Sequence, residues 1–263
     1  MRRRDRHVAV SAASILIVAL LCAPLIILFG VALNAGAQQV FPPRGISLRW
    51  FANVFSRSGF LDAIPFSLEL AVLTTVVSLT IGTLAAIGIV RFRVPGRDLL
   101  LTALMSPLIV PQVVIGLSFL VTFTALGVHS SFAVILILHV TLALPFTVRV
   151  IVSSLARFNI SIEEAARSLG AYPVKAFVTI TLPAIRSGML AASIFAFVAS
   201  FENFTATAFL VWNRSTLPVE IFNYIQTEND PTGAAISALV VLTVAFAITI
   251  SNRVIGLDAL SHR

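Results

Sequence analysis

Six apolar runs, each long enough to cross a bilayer as a helix, constrain this chain more than any other feature. They cover about residues 8–33, 66–90, 99–126, 128–148, 187–212 and 232–252. A helix rises about 1.5 Å per residue, so roughly 20 apolar residues span the hydrocarbon core. A barrel would instead show segments of about ten residues with alternating polarity, and these runs do not alternate. Only a structure that satisfies its own backbone hydrogen bonds survives in lipid. The chain is therefore expected to be all-α and polytopic, with six transmembrane helices.

Composition points the same way. The chain is 58% hydrophobic and 11% charged, whereas a soluble domain carries about 25% charged residues. Its net charge of +7 does not read as nucleic-acid binding, because the basic residues lie in short clusters between apolar runs. One cysteine, Cys22, allows neither an intrachain disulfide nor a cysteine-based metal site. The first run follows Arg2, Arg3, Arg4 and Arg6 and precedes Ala35-Gly36-Ala37, which resembles a cleavable signal. Its 26 residues exceed the apolar region of a signal peptide, about 7–15 residues, so it is read as an uncleaved anchor.

Six spans place both termini on one side. Fourteen of the 18 Lys and Arg residues then share that side, and Arg44, Arg49, Arg57 and Arg214 lie opposite. The positive-inside rule assigns the richer side to the cytoplasm. The expected organisation is a cytoplasmic N-terminus at 1–7, a membrane domain over 8–255 and a cytoplasmic C-terminus at 256–263. The loop at about 149–186 is also cytoplasmic.

That loop holds "SIEEAARSLGAYPVKAFVTITLPAIRSG", Ser161–Gly188. Ser161 and Glu164 have capping-box spacing. Acidic residues in a first turn suit the helix dipole. Gly170 is a natural left-handed stop, and Pro173 fits the first turn of a second short helix that Pro183 would end or kink. Mixed charges argue against a helix lying on the lipid surface, which favours Lys and Arg. A protein partner suits the loop better.

Glu164-Ala165-Ala166, Gly170, Ile180 and Leu182-Pro183 carry a resemblance. All seven positions, at this spacing, match the EAA loop of permease subunits in bacterial ABC importers, and the likeness runs from about Phe66 to the end of the chain. It implies the type I importer permease fold, with Ser161–Gly170 as a coupling helix docked in a separate cytoplasmic ATPase dimer. Glu163, Glu164, Ala165, Ala166, Gly170, Ile180, Leu182 and Pro183 would form the coupling surface. It also implies a second permease subunit, an extracytoplasmic solute-binding protein and a bacterial inner-membrane location. No G-x-x-x-x-G-K-[ST] run occurs in the chain, so it has no phosphate-cradling P-loop of its own. No cofactor and no catalytic residue are expected here, with ATP bound by the partner.

Charged residues within spans are costly and often functional. Glu202, beside Asn203, lies in the fifth run, and Glu69 lies in the expected first turn of the second. All three are candidates for the substrate path. The region 200–237 is similar to the second permease subunit of spermidine/putrescine importers. That makes a polyamine the expected substrate, with another small organic solute or ion as the alternative. Asn203 stands where those permeases often carry a second acid. His129 and His139 lie ten residues apart, with no carboxylate near in sequence, so no metal site is expected. Pro107, Pro111 and Gly116, with Gln112 among them, interrupt the third run, as in the broken helices of transporters. Two rival classes are an intramembrane protease and a stand-alone secondary transporter. The first lacks a complete serine motif. The second would not explain the loop.

Overall fold

The computed structural model describes the backbone of residues 3–92, 95–128 and 132–255, with side chains from 11 to 249 within those ranges. The expected C-terminal segment 256–263 and His129 lie outside the described residues. In chain order the helices are α1 (Arg3–Ala32), α2 (Arg49–Val54), α3 (Ser58–Arg91), α4 (Arg97–Met105), α5 (Gln112–Ala125), α6 (Phe132–Arg157) and α7 (Ser161–Ser168). They continue as α8 (Pro173–Ala176), α9 (Leu182–Ala184), α10 (Arg186–Phe201), α11 (Leu217–Thr227) and α12 (Thr232–Ile255). No strand occurs among the described residues; one isolated bridge joins Asn34 and Ile46.

Among the described residues, four continuous segments are long and apolar enough to cross a membrane: Ser11–Ala32, Ser58–Arg91, Phe132–Arg157 and Thr232–Thr249. Two bent pairs raise the number to six if each is one span. Arg97–Leu108 and Gln112–Ala125 meet at 98°, and Pro173–Ala184 and Arg186–Phe201 meet at 71°. The first bend has a local cause. Pro111 sits outside the start of α5 with ψ of 134°, an extended conformation that interrupts the helix.

Three expected boundaries move. α3 begins eight residues before the expected 66 and runs through Pro65, so Glu69 lies well inside the helix rather than in its first turn. α6 continues past 148 to Arg157. The fifth run stops as a helix at Phe201 rather than 212. The segments between the first and second runs and between the fifth and sixth also contain helices, α2 and α11.

The chain divides into two contact units, Met1–Leu61 with Glu220–Phe246, and Asp62–Val219 with Ala247–Arg263. In the first, the buried Asn34 organises a loop. Its Oδ1 accepts from the Gly36 and Arg44 amides at 3.0 and 2.9 Å, and its Nδ2 donates to the Gln38 carbonyl. Asn53 donates to Thr232 at 2.8 Å, and the Phe60 and Tyr224 rings pack 5.1 Å apart. In the second unit, one apolar cluster gathers Phe66, Leu70, Ile115, Val134, Leu138 and Leu210. Another gathers Ala86, Ile151, Leu155, Ile185 and Ala192. Together they hold α3, α5, α6 and α10, and so position both candidate sites.

Candidate coupling helix and membrane cavity

α7 is a short polar helix flanked by non-helical segments at 158–160 and 169–172. The expected capping box does not form. Asn159 Oδ1 accepts the Ser161 amide at 3.1 Å, and the Glu164 amide bonds the Ile160 carbonyl at 3.0 Å. The N-cap is therefore Ile160, one residue earlier than the Ser161 spacing suggested, and Asn159 binds the Ser161 amide from just ahead of it. Its other end forms as expected. Gly170 has φ of +93°. Its amide bonds Arg167 O at 3.0 Å and that of Ala171 bonds Ala166 O at 3.1 Å, the paired bonds of a Schellman cap.

The two adjacent carboxylates of α7 point apart, as a turn of about 100° per residue requires. Glu164 and Ala165 are exposed and Ala166 is half-buried. Glu163, grouped with the docking residues from the sequence, faces inward and is buried. The Arg91 guanidinium grips it with both nitrogens, at 2.9 and 2.6 Å, and the Thr181 hydroxyl also donates to it. Burial acts to raise the Glu163 pKa. The hydrogen bonds from Arg91 and Thr181, with the Arg91 charge, outweigh burial and hold it below the ordinary value. The pair is therefore formed at neutral pH. The stability it contributes is present above the unfolded-state pKa and is lost as pH falls through the lowered folded one.

Beyond α8 the chain passes through a π-helical turn, Phe177–Thr181, before α9. Pro183 follows at once, and its ring and missing N–H disturb the regular ladder one turn back. Ile180 and Leu182 are half-buried there, while Pro183 is exposed. These residues shape the bend into α10 rather than lying beside Glu164. A shallow depression of about 510 Å³, lined by Glu164, Arg167, Ser168, Gly170, Tyr172 and Pro173, opens at the end of α7. Leu169, Tyr172 and Val174 are exposed beside it.

The second site is a cavity of about 550 Å³ whose lining includes Gln112, Phe146, Phe195, Glu202, Asn203 and Phe204. Glu202 is exposed and follows the last residue of α10. Asn203 is buried and already engaged. Its Oδ1 accepts from the Thr207 hydroxyl at 2.9 Å, and its Nδ2 donates to Gln112 Oε1 at 3.2 Å. Glu69 is exposed on α3 and is not part of this lining. The structure thus joins Glu202 and Asn203 but leaves Glu69 apart.

Behind Asn203 runs a buried polar chain that sequence reading missed. His139 is 1% exposed. Its Nδ1 lies 2.7 Å from Ser200 Oγ and its Nε2 2.8 Å from Thr207 Oγ1. The ring thus bridges the Ser200 and Thr207 hydroxyls, and Thr207 in turn donates to Asn203 Oδ1. Both ring nitrogens are thereby used in packing. Arg91 and Thr181 were missed too. Their signal was faint: an arginine closing an apolar run, and one threonine among several.

These features define a class: a polytopic α-helical membrane protein with a polar helical insert facing outward and a cavity at a broken helix end. The profile of the family described as "Binding-protein-dependent transport system inner membrane component" matches residues 78–257. The chain belongs to this family, the permease subunits of ABC importers. It is 31% identical over 228 residues to the putrescine transport system permease protein PotI of Escherichia coli (strain K12), covering 84% of this chain and 81% of that protein. It is 27% identical over 243 residues to the spermidine/putrescine transport system permease protein PotC of the same strain, covering 92% and 91%. The molybdenum transport system permease protein ModB of that strain is 31% identical over 204 residues, covering 71% and 88%. Among solved structures, a bacterial ABC transporter involved in the import of the acidic polysaccharide alginate has a chain that superposes with a TM-score of 0.68 at 17% identity, covering 97% of each.

Proposed function

We propose that this chain forms one half of the translocation path of an ATP-driven importer, with a second homologous permease completing it. Both termini and the 149–186 loop lie in the cytoplasm, and the membrane domain occupies 8–255. α7 seats in a groove of a separate ATPase dimer, which binds the ATP, and an extracytoplasmic binding protein delivers the solute. The observation that carries this reading is the outward face of α7. Glu164 and Ala165 are exposed on a helix too short and polar to stand alone. Gly170 has open space around it and a left-handed φ. Gly170→Val is therefore expected to strain the backbone by about 1–2 kcal/mol and reduce uptake severalfold. Parental uptake in proteoliposomes would remove Gly170 from the coupling machinery.

The substrate we propose is a polyamine. Glu202 stands at the C-terminal end of α10, where the helix dipole adds roughly half a negative charge. Phe146, Phe195 and Phe204 line the same cavity, and aromatic faces attract organic cations. A linear polycation with methylene spacers suits both. The relatives named for putrescine and spermidine support this, and the one named for molybdenum supports the alternative of another small solute or ion. Arg149 and Arg157, which line a second cavity of about 840 Å³, favour that alternative.

The test is uptake of labelled spermidine and putrescine into proteoliposomes holding this chain, its partner permease, ATPase and binding protein, with ATP at the ATPase. Uptake needing both ATP and binding protein supports the class and substrate together. ATPase stimulation by the loaded binding protein without polyamine uptake would keep the class and discard the substrate. Glu202→Gln is expected to raise the KM for polyamine roughly tenfold with the ATPase still bound. Unchanged kinetics would return Glu202 to a structural role.

A further inference from the structure

One guanidinium holds three elements together near α7. Arg91 closes α3, Glu163 lies on α7, and Thr181 ends the π-helical turn before α9. Arg91 Nη1 and Nη2 reach the two Glu163 oxygens at 2.9 and 2.6 Å, and Nη2 reaches Thr181 Oγ1 at 3.0 Å. The guanidinium also lies 5.3 Å from the centre of the Phe177 ring. The side chains of Arg91 and Glu163 are only 15% and 7% exposed, and Thr181 is fully buried.

We propose that Arg91, Glu163 and Thr181 form a strut that carries movement of α7 into α3, so that the coupling helix drives the bundle through side chains as well as through its own chain ends. This rests on the reading that α7 seats in the ATPase. The backbone connections of α7 are short irregular segments, and the one after it turns at a left-handed glycine. Such joints pass force but not orientation. A planar fork gripping both carboxylate oxygens fixes direction as well as distance. Being buried, it keeps its grip where a surface pair would be screened. The partners are 72 and 90 residues apart in sequence, so the strut ties α7 to an element remote from it along the chain. Glu164 faces the partner and Glu163 faces the bundle. The two adjacent acids divide docking from transmission.

Arg91 and Glu163 are positioning residues, and the readout that separates them from mere scaffolding is solute moved per ATP hydrolysed. Glu163→Gln and Arg91→Lys, reconstituted with the partner permease, ATPase and binding protein, are expected to retain ATP hydrolysis stimulated by the binding protein. Uptake per ATP should fall at least tenfold in Glu163→Gln and about threefold in Arg91→Lys, which keeps the charge but loses the fork. The double variant Arg91→Glu with Glu163→Arg should recover at least a third of the parental ratio. Thr181→Val, which leaves the ion pair intact, should lower the ratio about twofold and covers the case in which a charge variant fails to fold. A parental ratio in Glu163→Gln, or in Thr181→Val where the charge variants are unstable, overturns the strut. So does loss of ATPase co-purification in Glu163→Gln, which would make the residue part of the docking surface. Failure of the docking reading shows elsewhere, as parental ATPase stimulation and uptake in Glu164→Arg.

Discussion

Gly116→Val is expected to lower both the thermal stability and the extracted yield of the permease. A Cβ at this position would stand 2.5 Å from the Ala206 carbonyl oxygen, 2.9 Å from the Ala206 Cα and 3.0 Å from Phe209 Cδ2. Two of those atoms are backbone and cannot rotate away. Nor can the segment easily retreat. Ala206 is fully buried, the adjacent Thr207 amide and hydroxyl both bond Asn203 Oδ1, and Leu210 is in the same apolar cluster as Ile115. Small residues at helix contacts are how membrane proteins bring backbones close. Valine adds three carbons to a contact with no room for the first. Overpacking costs about 1–3 kcal/mol in a core that can adjust, and the upper end applies here. That corresponds to a Tm lower by about 5 °C for a chain of this size, with a matching loss of monodisperse protein after detergent extraction. Gly88→Val is the control, because a Cβ there meets nothing within 4 Å. A parental Tm for Gly116→Val would mean that the segment after α10 is not packed on α5 as described.

That same segment explains where sequence reading stopped working. Residues 204–212 are apolar enough to extend the fifth run, yet α10 ends at Phe201 and the chain folds back as a 3-10 turn and irregular backbone. Hydropathy measures removal from water, and it cannot separate a residue facing lipid from one facing protein. Ala206 and Leu210 are apolar because they are in the core. Irregular backbone is tolerated at such depth where protein side chains satisfy it, and Asn203 does this for Thr207. The break at Pro111, by contrast, was legible, because proline acts through local covalent geometry. So was the Gly170 turn. The orientation of the two glutamates was not. Which of Glu163 and Glu164 faces inward depends on Arg91, 72 residues earlier, and no local pattern records that distance. His139 reads as isolated for the same reason, since its partners Ser200 and Thr207 lie on other elements of the fold.

Glu164→Arg is expected to abolish uptake, by a hundredfold or more, while the protein remains folded in the membrane. No described hydrogen bond or ion pair within the chain holds the Glu164 carboxylate, and the residue is exposed. Surface substitutions of this kind usually change stability by no more than about 0.5 kcal/mol, so the Tm and the extracted yield should match the parent. The loss must then arise at the partner. Like charges brought together at an interface cost several kcal/mol, and each 1.4 kcal/mol is a factor of ten in affinity. On the proposed seating of α7, a groove that receives a carboxylate beside two alanines rejects an arginine by two to three orders of magnitude, through both charge and bulk. Glu164→Gln, with nearly the same shape and no charge, should lose about tenfold. The discriminating measurement is co-purification of the ATPase with each variant from the membrane, read beside uptake. If Glu164→Arg binds the ATPase and transports as the parent does, the docking surface is not the exposed face of α7. The nearby apolar group of Leu169, Tyr172 and Val174, exposed at the turn after it, would then be the surface to substitute next.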